Sequence, residues 1–311
     1  MSYIKLFAAA ALAVALYTGA TVTAATGART LGQARRAFRR WQVATCSRST
    51  RSSLRPNMAA ASSNASRPTA VSTATCPAAA RGKAGANFRA TVPVYFHVVT
   101  DGSTGSLTSA QISAQMTVLN DNYGGSRTGF SFTVAGVTRT DNAAWFYAGP
   151  GGTDEHSMKQ ALHQGGDNAL NLYSTTAGPY LGWAYLPDLT TKPGQAYLDG
   201  IVIDWESMPG TSTTYAGRYD EGKTVTHETG HWLDLEHTFY GGCNAKGDFV
   251  DDTPAEKTPT SGWPIGKDTC SAPGLDPIHN YMDYSYHSCY TEFTAGQVQR
   301  MRDAWLLYRA S

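Results

Sequence analysis

Three histidines and a glutamate fall within eleven residues, His227-Glu228-Thr229-Gly230-His231-Trp232-Leu233-Asp234-Leu235-Glu236-His237. If the first five are helical, His227 and His231 stand one turn apart on one face and can bind one ion together. Glu228 is turned about 100° from His227, which takes it off the ligand pair and sets it beside any water held there. A zinc ion lowers the pKa of such a water toward about 7, and a carboxylate within reach can accept its proton. A catalytic zinc also needs a third protein ligand and one open position. His237, six residues after His231, cannot share the face of a straight helix that continues, so the chain has to bend between them. Asp234 offers the alternative: if the helix runs on past Leu233, it lies on the same face as His231. Spacing leaves both third ligands open, although a set of three histidines is well matched to zinc.

The eleven-residue stretch resembles the metzincin pattern HExxHxxGxxH, and Asn280-Tyr281-Met282-Asp283-Tyr284 fits the methionine turn expected some tens of residues downstream. The HTFYGGC from His237 to Cys243, the DTP from Asp252 to Pro254 and the NYMDYS from Asn280 to Ser285 are similar to the pappalysin or cytophagalysin family, especially its secreted fungal and bacterial members. The resemblance runs from Thr91 to the C-terminus. It implies an α/β (α+β) zincin fold: a twisted, mainly parallel sheet with one antiparallel edge strand, an active-site helix, and an irregular lower part ending in a C-terminal helix. It implies one catalytic Zn²⁺ on His227, His231 and His237, with Glu228 as the catalytic base and Met282 as an apolar floor beneath the ligands. Tyr284 is the second catalytic residue expected, its hydroxyl steadying the oxyanion of the tetrahedral intermediate. Structural Ca²⁺ is implied at the DTP, where Asp252 and Thr253 match and Asp248 and Asp251 stand close. Cys243 and Cys270 match a disulfide position of the family.

Two departures matter. The glycine of the family pattern is Asp234 here. That glycine lets the helix stop and the backbone turn left-handed, so that the third histidine swings back to the metal. Asp is among the few other residues that enter this region, at about 1 kcal/mol. Family members that prefer a basic residue after the scissile bond carry acidic side chains shortly after the methionine turn. Tyr286 and His287 occupy that stretch, so an arginine preference does not carry over.

The formal net charge of +1 conceals two unlike segments. Residues 1–100 hold thirteen Lys and Arg and no acidic residue; residues 101–311 hold twelve basic and twenty-four acidic ones, so the segments carry +13 and −12. The first opens as a secretory signal, residues 1–24: Lys5 precedes the apolar run Leu6 to Leu16, with Ala20 or Ala24 as cleavage sites. Residues 25–85, rich in Ala, Ser, Thr and Arg, read as a basic propeptide or linker with dibasic processing sites at Arg35-Arg36 or Arg39-Arg40 and a glycosylation sequon at Asn64. Residues 86–311 form the catalytic domain. Five cysteines are an odd number for an exported chain. With Cys243 and Cys270 paired, Cys289 is assigned to Cys76, and Cys46 is left in the prosegment, where its thiolate could cap the zinc and hold a zymogen inactive.

Elements that would position the site follow from patterning. Thr91 to Val99 is a β-branched run typical of a buried strand. Leu107 to Asn120 has helical spacing after Ser106 as cap, and Phe130 to Val137 alternates as a strand. Asp154 to His163 reads as a helix, and Leu170 to Ser174 and Ile201 to Trp205 as strands. Leu181 to Tyr185 is expected as an edge strand above the cleft, where an extended peptide would bind through main-chain hydrogen bonds. The zinc helix starts near Gly222, and Thr294 caps a last helix to Tyr308. His97, His156, His163 and His279 have no ligand-like neighbour at short spacing and read as packed or surface histidines.

The expected function is a secreted, extracellular zinc endopeptidase, a monomer acting on protein and peptide substrates. A catalytically impaired, zinc-stabilised binding or adhesion protein, spoiled by Asp234, is the rival. The intact Glu228 opposes it, because a structural zinc needs no base and closes its fourth position. Nucleic-acid binding is disfavoured, since the basic residues lie in the removable leader with no aromatic-basic module. No apolar run is long enough to span a bilayer once the signal is removed.

Overall fold

In the computed structural model the described residues are 83–310, together with the backbone of 4–8. The expected cleavage sites, the dibasic pairs, Asn64, Cys46 and Cys76 lie outside them. Strands β1 (Ile4–Ala8), β2 (Ala90–Thr100), β3 (Phe130–Asp141), β4 (Leu170–Thr175), β5 (Tyr180–Tyr185) and β6 (Ile201–Asp204) form one sheet in the order β1-β5-β6-β4-β2-β3. β3, β2, β4 and β6 are mutually parallel, and β5 runs antiparallel to β6 with Gly182 opposite Ile203. This is the mixed sheet of the zincin expectation, with one addition. β1, which falls in the expected signal segment, pairs antiparallel with the outer edge of β5, Phe7 opposite Gly182. An open strand edge presents unpaired N–H and C=O groups to any extended segment that reaches it.

Parallel strands covered on both faces read as near-continuous apolar runs, and β4 is buried along its whole length. On one face Val92, Val94, Phe96 and Val98 of β2 meet Ile112, Met116, Leu119 and Tyr123 of helix α1 (Ser109–Gly125). The same cluster takes in Val225 and Trp232 of α5 (Lys223–Trp232). The short helix α2 (Ala143–Phe146), helix α3 (Thr153–Leu162) and the turn α4 (Pro187–Thr190) come earlier in the chain. Phe146 of α2, Met158 of α3 and Leu189 of α4 bury Trp183, Tyr185 and Val202 on the opposite face. There Glu155 accepts from Trp183 Nε1 at 2.7 Å and from the Tyr185 hydroxyl at 2.8 Å, and it pairs with buried Lys159 at 3.1 Å. β5 is thus gripped from behind.

Helix starts follow local chemistry. Thr108, two residues past the expected Ser106, caps α1 through a reciprocal box with Gln111. Thr294 does the same with Gln297 for the last helix, α6 (Ala295–Ala304), which widens into a π turn over Trp305–Arg309. Between His237 and Thr294 the chain is mostly turns, held by the Cys243–Cys270 disulfide. Cys289 is a buried thiol whose Sγ donates to the Ile278 carbonyl at 3.3 Å; its expected partner, Cys76, lies outside the described residues.

Candidate active site

Helix α5 carries the first two histidines and the glutamate, all fully buried. It stops at Trp232. Leu235 N–H bonds the Gly230 carbonyl at 2.9 Å and Asp234 N–H bonds the His231 carbonyl at 2.9 Å. These two bonds are the Schellman closure of a helix end. Asp234 takes the left-handed position that this closure requires, with φ +76°. The turn sends the chain back, and His237 meets the other two: its Nε2 lies 3.1 Å from His231 Nε2, which lies 3.1 Å from His227 Nε2. The alternative, a helix continuing to present Asp234 beside His231, is not what forms. The Asp234 carboxylate instead meets Arg300 at 2.8 Å.

The rings are aimed by backbone carbonyls. His227 Nδ1 donates to the Tyr281 carbonyl at 2.6 Å, and His231 Nδ1 donates to the Leu235 carbonyl at 2.7 Å. Burial lowers the His227 pKa to about 3 against the smaller opposing effect of that carbonyl, so the ring is neutral. A neutral ring that donates from Nδ1 has a lone pair on Nε2. Two such atoms 3.1 Å apart cannot bond each other and need a cation between them. Tetrahedral zinc, with Zn–N near 2.0–2.1 Å, spaces its nitrogens roughly 3.3 Å apart. The three histidines therefore fit a zinc ion, and among the described residues they form the group of metal-ligating side chains close enough to share one.

Both oxygens of Glu228 are buried without a hydrogen-bond partner among the described residues. Burial pushes its carboxyl well above the ordinary range, and a cation on the neighbouring histidines would draw it back toward the charged form. Its room comes from Gly182 on β5. A Cβ there would stand 3.0 Å from Glu228 Cγ and 2.7 Å from the Val202 carbonyl. The space a side chain at 182 would need is thus taken by Glu228.

The methionine turn closes the floor. A Cβ on Gly230 would lie 2.5 Å from the Met282 sulfur, so this glycine lets Met282 reach the helix beneath the ligands. Met282 accepts Thr238 N–H at 3.2 Å through its carbonyl. The Tyr284 ring packs against His237 and His227, with centroids 4.9 and 5.9 Å away. Asp252 of the DTP spends its carboxylate on α6, accepting from Thr294 Oγ1 at 2.7 Å and from Gly296 N–H at 2.8 Å. His97 is buried between Thr138 and Asn171, and His279 bonds the Cys289 carbonyl. Sequence reasoning missed the orienting carbonyls of Tyr281 and Leu235, which carry no side-chain signal, and Arg300 and Arg309, which lie over sixty residues from the turn they touch.

A helix presenting two histidines and a buried glutamate under a mixed sheet, with a third histidine returned by a tight turn above a methionine, is the arrangement of metzincin-type metallopeptidases. The family model Peptidase M43, described as Pregnancy-associated plasma protein-A, matches residues 208–305. The chain is 46% identical over 227 residues to an extracellular metalloprotease of Arthroderma benhamiae, covering 71% of this chain and 74% of that protein. It is 46% identical over 239 residues to one of Neurospora crassa, covering 75% and 81%. Among solved structures it is similar to mature mirolysin of Tannerella forsythia in complex with a cleaved peptide, with TM-score 0.58 and 28% identity over 71% of this chain and 96% of that one. The chain belongs to the M43, or pappalysin, family of zinc metalloendopeptidases.

Proposed function

We propose that this chain is a secreted zinc endopeptidase in which His227, His231 and His237 hold the metal and Glu228 is the general base. A bound zinc supplies a Lewis acid that polarises the scissile carbonyl and acidifies a water. Glu228 takes the proton of the attacking water and returns it to the leaving amine. Tyr284, packed edge-on against His237 and tilted against His227, donates its hydroxyl to the oxyanion. Substrate lies extended and antiparallel along β5, next to Glu228. The pairing of Ile4–Ala8 with that edge supports the reading, because it is the geometry a peptide would adopt there. The relatives named extracellular metalloproteases support export. Among the described residues no helix is long and apolar enough to cross a membrane. On this reading residues 1–24 are the signal, 25–85 the basic propeptide or linker and 86–311 the catalytic domain. For the implied calcium, Asp248 offers a buried carboxylate oxygen beside a cavity of about 360 Å³ that Asp251 and Thr253 also line.

The observation that carries the mechanism is the buried Glu228, whose oxygens have no hydrogen-bond partner among the described residues, on the helix that brings two of three convergent Nε2 atoms together. Glu228→Gln keeps the shape and removes the base. Casein hydrolysis is expected to fall roughly 10²–10⁴-fold, with zinc content by atomic absorption unchanged. Hydrolysis at the parent rate would refute the role.

A further inference from the structure

The turn from Trp232 to His237 carries a residue of the wrong type for its backbone, and the structure shows what compensates. Asp234 sits at φ +76°, where a non-glycine residue is strained by about 1 kcal/mol. A single guanidinium from α6 holds it twice: Arg300 Nε donates to the Asp234 carbonyl at 2.6 Å and Nη2 pairs with Asp234 Oδ2 at 2.8 Å. A glycine would offer only the carbonyl. The next residue, Leu235, orients His231 through its own carbonyl, and His237 follows two residues later. Residues 234–237 therefore set one ligand's direction and another's position. The base of the clamp is fixed, since α6 is capped by Thr294, tied to Asp252, and buries Gln297 and Met301. Arg309 acts separately, on the end of the metal helix: it donates to the Trp232 carbonyl at 2.8 Å, lies 3.5 Å from the Trp232 ring centroid, and pairs with Asp199.

We propose that Arg300 is a positioning residue of the metal centre, which acts through Asp234 to hold the left-handed turn that delivers His237 and orients His231. Together the aspartate and arginine do what glycine does in the family pattern. The bland reading is a partly exposed ion pair, the two side chains being 27% and 21% exposed, of a kind that adds little to stability. The two readings part on metal affinity. Residues that orient metal ligands typically alter affinity 10–100-fold when removed, whereas a surface pair leaves it unchanged.

The test is a double-mutant cycle on the secreted enzyme, stripped with a chelator and titrated with zinc against a chromogenic competitor. Arg300→Ala is expected to weaken zinc binding roughly tenfold, and Arg300→Lys to do nearly as much, because an ammonium cannot span carbonyl and carboxylate together. In an Asp234→Gly background, Arg300→Ala is expected to change zinc affinity less than twofold. Parent affinity in Arg300→Ala, or the same loss in both backgrounds, would overturn the proposal. If Arg300→Ala does not fold, Arg300→Lys with and without Asp234→Gly reads the same coupling. The proposal rests on His237 as third ligand. His237→Ala tests that separately: full zinc retention there defeats the ligand assignment, whereas loss there with an additive cycle defeats only the role of Arg300.

Discussion

The sheet half of the molecule and the segment from Thr238 to Phe293 are built on different terms, and the metal site lies where they meet. In the first, β2, β4 and β6 are buried strands between layers of apolar side chains. In the second, order comes from particular polar links. Glu256 accepts from Thr238 at 2.7 Å and from Thr260 at 3.0 Å, Asp283 accepts Thr260 N–H at 3.0 Å, and Lys267 meets Glu256 and Asp276 at 2.5 and 3.1 Å. A disulfide closes part of it, while Phe249, Trp263 and Ile265 remain exposed. The sheet half fixes Glu228, His227 and His231 through α5. The second region supplies the carbonyl that aims His227 and the methionine beneath. Damage to the first should unfold the protein, whereas damage to the second should loosen the site before the fold.

The largest stability effect is expected from Phe96→Ala, at the centre of β2. A fully buried phenylalanine lost from a sheet core costs about 4 kcal/mol. Circular dichroism and zinc release should then report one shared thermal transition at lower temperature. Two separated transitions would show the halves to be less coupled than the shared core implies. Next comes Cys243→Ser with Cys270→Ser, opening a loop with a sequence separation of 27. The cost is about 3.5 kcal/mol in the chain-entropy account. Here hydrogen exchange should rise within 238–285 while the amides of β2 and β4 keep their protection. Uniform deprotection would erase the distinction between the regions.

The same contrast explains what the sequence could reveal. β2 and β6 were legible because burial on both faces writes a near-continuous apolar, β-branched run, and their ends differ from expectation by a residue. The ligand spacing was legible because histidines four apart on a helix face one way. Which residue joins the two helical histidines was not settled by spacing, because the choice between Asp234 and His237 depends on whether the helix ends. That end is written partly in Arg300 and Arg309, far along the chain. The need for glycine at 182 was not legible, since only the packed structure shows Glu228 in the space a side chain would fill. The polar links of 238–285 obey no period, and Asp252, which matched a calcium-associated motif, caps a helix.

The sharpest probe of the second region removes charge without removing bulk. Lys267 is 15% exposed and Glu256 is fully buried, so Lys267→Met strands a carboxylate that has already left water. Breaking a wholly buried pair costs about 3–5 kcal/mol; with the lysine partly solvated, about 2 kcal/mol is expected. Burial, then the charge of Asp283, holds the Glu256 carboxyl above the usual range, with Lys267 opposing. A raised carboxyl binds its proton more tightly folded than unfolded, so its contribution is full at acid pH and is lost as pH rises through the folded pKa. Without Lys267 the folded pKa climbs further and that loss deepens. The variant should therefore lie nearest the parent in melting temperature at about pH 4–5 and fall away toward pH 8. A pH-independent gap would mean that Lys267 acts through packing and its bond to the Thr258 carbonyl, and that charge does not hold this region together.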